Sequence, residues 1–258
     1  MLSDFTLDVC ISMKDDMEVY RGSENTTNQL VLVKAGWEYD SISQLQREHD
    51  ILTGPLATCT GVPTIVHTVN KNGWMVLVER PFGIPLDGCV ALNPPNAEML
   101  RDWASQAGRI LKQVHSLGVL HRDIKPGTYV LVASRHLTPQ CPDNMIISRE
   151  DGRLYLINFG YARKKSKQRA NVYWDRYFVG APAWAAPTAV ATESAGKYEY
   201  DFEALCLTFY SLEIGIDKYL ECEPSLEKDS RKLRTTSPIV EFICDLWNQA
   251  PSSAEDRV

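Results

Sequence analysis

The apolar positions change period part-way along the chain. Near the start they come as short continuous runs: Leu30–Lys34 reads LVLVK and Trp74–Val78 reads WMVLV. Runs of this length, rich in Val and Leu, predict buried strands, and the turn Lys71-Asn72-Gly73 introduces the second. Between them, Ser41–Leu52 sets Ile42, Leu45, His49 and Leu52 near helical spacing, and Gly54-Pro55 predicts the end of that helix. Beyond Pro81 the helical period takes over. Asn96–Leu117 places Leu100, Trp103, Ala107, Ile110, Leu111, Val114 and Leu117 on one face, with Gly118 where a C-terminal cap belongs. Leu154–Ile157 is a short strand candidate, Asp201–Gly215 a buried helix, and Ile239–Trp247 a last helix. The pattern predicts an α+β chain in two parts, strands with one helix over 1–80 and mainly helices over 81–258.

Composition narrows the class. The chain has 258 residues, 44% apolar and 23% charged, and a net charge of −6. That is enough for a sizeable core, and the acidic balance gives no global field for nucleic acid. Seven cysteines (Cys10, Cys59, Cys89, Cys141, Cys206, Cys222 and Cys244) form no CxxC pair, which reads as reduced thiols. No apolar run approaches the roughly 20 residues of a membrane span. The N-terminal MLSDFTLDVCISMKDD has no basic stretch ahead of an apolar block, so a signal peptide is not expected. The expectation is an intracellular protein, cytoplasmic or nuclear, with neither a membrane nor a nucleic acid as partner.

A series of motifs then falls in order. They are Val31-Leu32-Val33-Lys34, Arg47-Glu48, Val78-Glu79-Arg80-Pro81, the stretch HSLGVLHRDIKP ending at Pro126, Asp143-Asn144-Met145-Ile146-Ile147, Asn158-Phe159-Gly160, Ala186-Pro187-Thr188, and Asp201. In this order they resemble the eukaryotic protein-kinase family over nearly the whole chain, with His121–Pro126 as the most specific match. The resemblance implies a two-lobed fold, a strand-rich N-lobe at 1–80 and a helical C-lobe at 81–258, and ATP with Mg²⁺ as cofactors. It also implies roles. Lys34 would pair with phosphate oxygens and Glu48 would hold it. Asp123 would accept the hydroxyl proton, and Lys125 would neutralise the transferring phosphate as in Ser/Thr-directed members. Asn144 and Asn158 stand at the metal positions. Val19, Leu32, Glu79 and Ile146 stand at nucleotide-contacting ones.

Four departures bear on activity. The positions of the glycines that cover phosphate are Ser12, Lys14 and Met17, none of which lets backbone N–H groups approach as Gly does. Asn158 replaces the metal-binding Asp; losing one anion at a dication costs roughly 10²–10⁴ in rate. Leu32 replaces a small Ala, either narrowing the base slot or as a tolerated packing swap. Thr188 replaces a Glu that ties the activation segment to a late Arg, for which Arg257 is the candidate, and the final helix of the family is not expected in this chain.

The catalytic stretch is also interrupted. Asp123 and Asn144 lie 21 positions apart, against five in the family motif, and removing Gly127–Pro142 restores HRDIKP-DNMII. One reading is a true insertion, which loop entropy alone tolerates. The preferred reading is a translated intron of the short fungal type. Gly127–Val130 is encodable by a splice-donor-like sequence, Leu137-Thr138 by a branch-point-like one and Pro142 by an acceptor, and sixteen codons keep the frame.

Downstream, Arg163–Arg169 reads as a solvated basic segment more than as a docking surface. Ser166, Tyr173 and Tyr177 are candidate phosphosites there, with Arg122 as their receptor. Two function classes follow. One is a pseudokinase-like module with weak or lost phosphotransfer that binds a protein partner. The other is an active Ser/Thr kinase acting on protein hydroxyls.

Overall fold

The computed structural model describes residues 2–14, 16–126, 128–131, 137–141, 144–164, 179–191, 197–221 and 230–248. Its N-terminal part is a five-stranded antiparallel sheet with one helix. The strands are β1 (Phe5–Met13), β2 (Met17–Glu24), β3 (Leu30–Gly36), β4 (Thr64–Lys71) and β5 (Trp74–Arg80), in the order β1-β2-β3-β5-β4. Helix α1 (Tyr39–Thr53) crosses from β3 to β4. The turn expected at Lys71–Gly73 is a tight one, with Asn72 and Gly73 both at positive φ, the pairing that a two-residue hairpin loop requires. Alternation divides the sheet into two faces. Val31, Val33, Val76 and Val78 pack on the outer side, while Met75 and Leu77 meet Leu45 of α1 on the other.

The C-terminal part is built on α3 (Ala97–Ser116). It follows β6 (Gly83–Pro85) and α2 (Leu86–Leu92). The helix begins where Asn96 accepts the Met99 N–H at 2.8 Å, and it ends at Gly118 with φ +76°. Leu100, Trp103, Ala107, Ile110, Leu111 and Val114 are buried as the spacing predicts. Leu117 is the correction. It is the capping residue beyond the last turn and lies 37% exposed.

After β7 (Val119–Leu120) the chain forms a hairpin of β8 (Thr128–Leu131) and β9 (Leu137–Cys141), then β10 (Met145–Ser148), β11 (Leu154–Leu156) and β12 (Arg163–Lys164). Both strands fall within the sixteen-residue excess; β9 lies beside β1, and β8 beside α2. The remaining helices are α4 (Pro187–Ala191), α5 (Tyr198–Ile214), α6 (Ile216–Glu221), α7 (Ser230–Leu233) and α8 (Pro238–Asn248). Helix α5 starts three residues before the expected Asp201 and is buried on several sides, which is why it shows no single apolar stripe. The order of a strand-rich part followed by a helical part is the α+β, two-lobed arrangement. Thr188 falls in α4. Ser166, Tyr173, Tyr177 and Arg257 lie outside the described residues, as does most of the basic run.

Candidate active site

On β3, Lys34 points away from the valine face and into the cleft. Its ammonium Nζ lies 2.7 Å from Glu48 Oε2 and 3.1 Å from Glu79 Oε2, and all three side chains are buried. Burial alone would lower the lysine's pKa, but the charges of Glu48 and Glu79 raise it overall, so Lys34 is an ammonium. Glu48 does more than hold Lys34. Its Oε1 accepts the Phe159 N–H at 2.7 Å, and the neighbouring Arg47 donates to the Gly160 carbonyl. One turn of α1 therefore fixes both β3 and the Asn158-Phe159-Gly160 turn. Phe159 is fully buried, edge-on to His121 with centroids 4.8 Å apart.

The lower wall is held by Asp201. Its carboxylate accepts the N–H groups of His121 and Arg122, each at 2.8 Å, and lies 3.0 Å from His115 Nε2. Burial would raise this carboxyl, but the hydrogen bond from His115 and the backbone N–H of His121 help hold it below the usual carboxylate range. The bonds secure an uncommon conformation, since Arg122 has φ +73°. His121 is structural. Its Nε2 donates to the Ile157 carbonyl at 3.0 Å, its Nδ1 accepts the Asp123 N–H at 3.3 Å, and burial lowers its pKa so that the ring is neutral.

Asp123 gathers the other residues expected to react. Its Oδ2 lies 3.0 Å from Lys125 Nζ and accepts from Asn144 Nδ2 at 2.8 Å, while Oδ1 accepts the Ala181 N–H at 3.0 Å. The same Asn144 amide donates to the Asp123 carbonyl. Asp123, Lys125 and Asn144 therefore meet despite the interruption between them. Gly180 makes the contact with the 179–191 segment possible. Its φ is +107°, and a Cβ there would sit 2.6 Å from the Arg122 carbonyl oxygen. Beside Asp123 lies a small cavity of about 30 Å³, lined by Arg122, Val179, Trp184, Ala186 and Tyr200.

Asn158 takes a left-handed conformation, φ 67° and ψ 65°, which Asn tolerates better than most residues. Its Nδ2 donates to Asn144 Oδ1 at 2.7 Å. The two amides at the metal positions thus satisfy each other, and neither carries charge. Among the described residues no three His, Cys, Asp or Glu side chains gather into a metal cage. This donor set does not fit Mg²⁺, a hard dication that binds through carboxylate oxygens. The nucleotide positions fit better. Val19 on β2 and Ile146 on β10 are buried and apolar, Leu32 on β3 is half-buried beside Lys34, and Glu79 lies on the cleft face of β5. The β1–β2 hairpin closes with Lys14 N–H donating to the Met17 carbonyl at 2.8 Å, so Ser12, Lys14 and Met17 sit at its tip.

A family model described as the protein kinase domain matches residues 17–256. The chain belongs to the protein kinase family. Curated relatives agree at low identity. A serine/threonine-protein kinase PAK mbt of Drosophila melanogaster is 27% identical over 181 residues, 68% of this chain and 25% of the relative. Serine/threonine-protein kinase 10 of Danio rerio is 29% identical over 127 residues, 48% of this chain and 10% of its own. A cAMP-dependent protein kinase, catalytic subunit-like protein of Caenorhabditis briggsae is 25% identical over 146 residues, 57% and 32% of the two chains. The kinase chain thus spans from a tenth to a third of the length of these relatives.

Within the kinase fold, reasoning from sequence missed the roles of Arg47, Gly180 and Ala181. The Gly-Ala step at 180–181, next to Pro182, is the signal that could have marked a close backbone approach. Arg122 has its pKa lowered to about 10 by burial and by the charges of Arg163 and Arg47. Among the described residues, no helix is long and apolar enough to cross a membrane.

Proposed function

We propose that this kinase domain binds a nucleotide in the cleft beneath β1–β3, transfers phosphoryl groups weakly or not at all, and acts chiefly by binding a protein partner. The observation that carries the reading is the hydrogen bond from Asn158 Nδ2 to Asn144 Oδ1. It uses the oxygen that a metal ion would need, and it leaves both metal positions uncharged. Lys34 would hold phosphate oxygens, and Val19, Leu32 and Ile146 would enclose the base. Without an anion at Asn158, the charge that builds up in transfer is offset by Lys34 and Lys125 alone.

A second reading is favoured by the lower wall. Asp123, Lys125 and Asn144 stand within hydrogen-bond reach of one another. An active Ser/Thr kinase would use Asp123 to take the proton of a protein hydroxyl and Lys125 to neutralise the transferring group. Two measurements separate the readings. Thermal shift with ATP, with and without Mg²⁺, should show a rise in Tm that does not need the metal. Radiolabelled phosphotransfer by the form lacking Gly127–Pro142 should be weak and should increase on Asn158→Asp. Robust transfer without that reversal would sink the first reading. Sequencing the mature transcript tests the intron; a message retaining the block would make it a true insertion.

A further inference from the structure

Lys34 has one carboxylate more than it needs. Glu48 takes the ammonium at 2.7 Å in a hydrogen bond, whereas Glu79 Oε2 lies 3.1 Å away as the second member of the ion pair. Neither Glu79 oxygen has a hydrogen-bond partner among the described residues, although the residue is 1% exposed. A buried carboxylate held by an ion pair alone recovers only part of its desolvation cost. Glu79 sits on the last turn of alternation in β5, with Leu32 as its register partner on β3 and Ile65 on β4. The charged groups acting on it are Glu48 from α1 and Lys34 from β3. Burial and the charge of Glu48 push its pKa up to about 7, against the opposing pull of Lys34.

We propose that Glu79 is a competing anion for Lys34, so that a nucleotide phosphate can take the ammonium only as Glu79 becomes protonated. This rests on the nucleotide reading above and adds to it a positioning residue that sets affinity. When phosphate approaches Lys34, a third negative charge enters a buried cluster already holding two. The proton taken up by Glu79 restores the balance, its oxygen becoming a neutral carboxylic acid while Lys34 turns to the phosphate. Since the phosphate-bound state holds Glu79 protonated, nucleotide binding is favoured below the free-state value near 7 and weakens as pH rises through it. Adenosine offers no phosphate and should escape the competition.

The test is calorimetric titration of the full chain with ADP and with adenosine from pH 6.5 to 8.5, for the parent and for Glu79→Gln, in two buffers of different ionisation heat. For the parent the Kd for ADP should rise about tenfold or more over this range. A net proton uptake should appear in the buffer comparison. In Glu79→Gln the Kd for ADP should be tighter at pH 8.5 and nearly flat with pH, and the uptake should vanish. Adenosine binding should be flat in both. A pH-independent Kd for ADP in the parent, or a pH dependence that survives in Glu79→Gln, overturns the proposal while leaving nucleotide binding in place. Absence of binding by both ligands to both proteins overturns the nucleotide reading as well.

Discussion

The two walls of the cleft treat charge in opposite ways. The upper wall concentrates it: Lys34 Nζ lies within 3.1 Å of both Glu48 and Glu79, and all three are buried. The metal end of the lower wall avoids it, since Asn144 and Asn158 satisfy each other as neutral amides. Yet both walls have the same backbone precision. Glu48 ties Phe159 on one side, and Asp201 ties His121 and Arg122 on the other. The contrast separates two jobs that one motif normally combines. Phe159 and Gly160 keep the architectural job, while the charge that would serve chemistry is absent at position 158.

Giving the lower wall a charge is the strongest way to break the contrast. Asn158→Asp should place a carboxylate beside Asn144 Oδ1, replace the amide–amide bond and create a Mg²⁺ response. We expect phosphotransfer to increase by about 10²–10⁴-fold, measured with radiolabelled ATP, along with a Mg²⁺-dependent rise in Tm that the parent lacks. No gain in either would show that the missing anion is not what limits this domain.

Removing charge from the upper wall is the converse. Glu48→Gln should weaken the hold on Lys34 and on the Phe159 N–H; with Glu79 still near, the cost should be about 2–3 kcal/mol in urea unfolding. Gly180→Ala probes how closely the 179–191 segment must approach Asp123. With φ at +107° and the Arg122 carbonyl 2.6 Å from the new Cβ, it should cost about 1–3 kcal/mol. Asn158→Ala asks for the least. Loss of the amide bond and of an αL-tolerant side chain should cost about 1 kcal/mol, without the gain in transfer seen for Asp.

The anchor of the lower wall also has a pH signature. Asp201 is held below the usual carboxylate range, so its contribution to stability is present above the unfolded value near 4 and is lost as pH falls through its folded one. Urea midpoints from pH 6 to pH 3 should fall more steeply for the parent than for Asp201→Asn, which starts less stable.

The elements legible in the sequence were those with a strong period or a distinctive cap: β3, β5, α1 and α3. Strand β1 was harder to see, because it lies at the sheet edge, is largely exposed and carries no clean alternation. Helix α5 hid its start, since burial on several sides erases the stripe that marks a surface helix. Asp123, Lys125 and Asn144 could be read from the motif, and the structure brings them together across the hairpin. The contacts of Arg47, Gly180 and Ala181 could not, because backbone carbonyls and N–H groups leave no mark in the sequence. Glu79 was legible as a cleft residue, but its approach to Lys34 depends on which way β5 faces.

The left-handed turn at Asn158 has a genetic consequence. Asn and Asp are nearly isosteric, one neutral and the other an anion, and both settle readily at positive φ. Their codons differ by a single base. A lineage carrying this fold can therefore discard the anion, or regain it, in one mutational step that leaves Phe159, Gly160 and their contacts to α1 undisturbed. Catalytic competence then becomes a trait that drifts independently of the scaffold, and a protein selected for its surface can keep the scaffold long after the chemistry has ceased to matter.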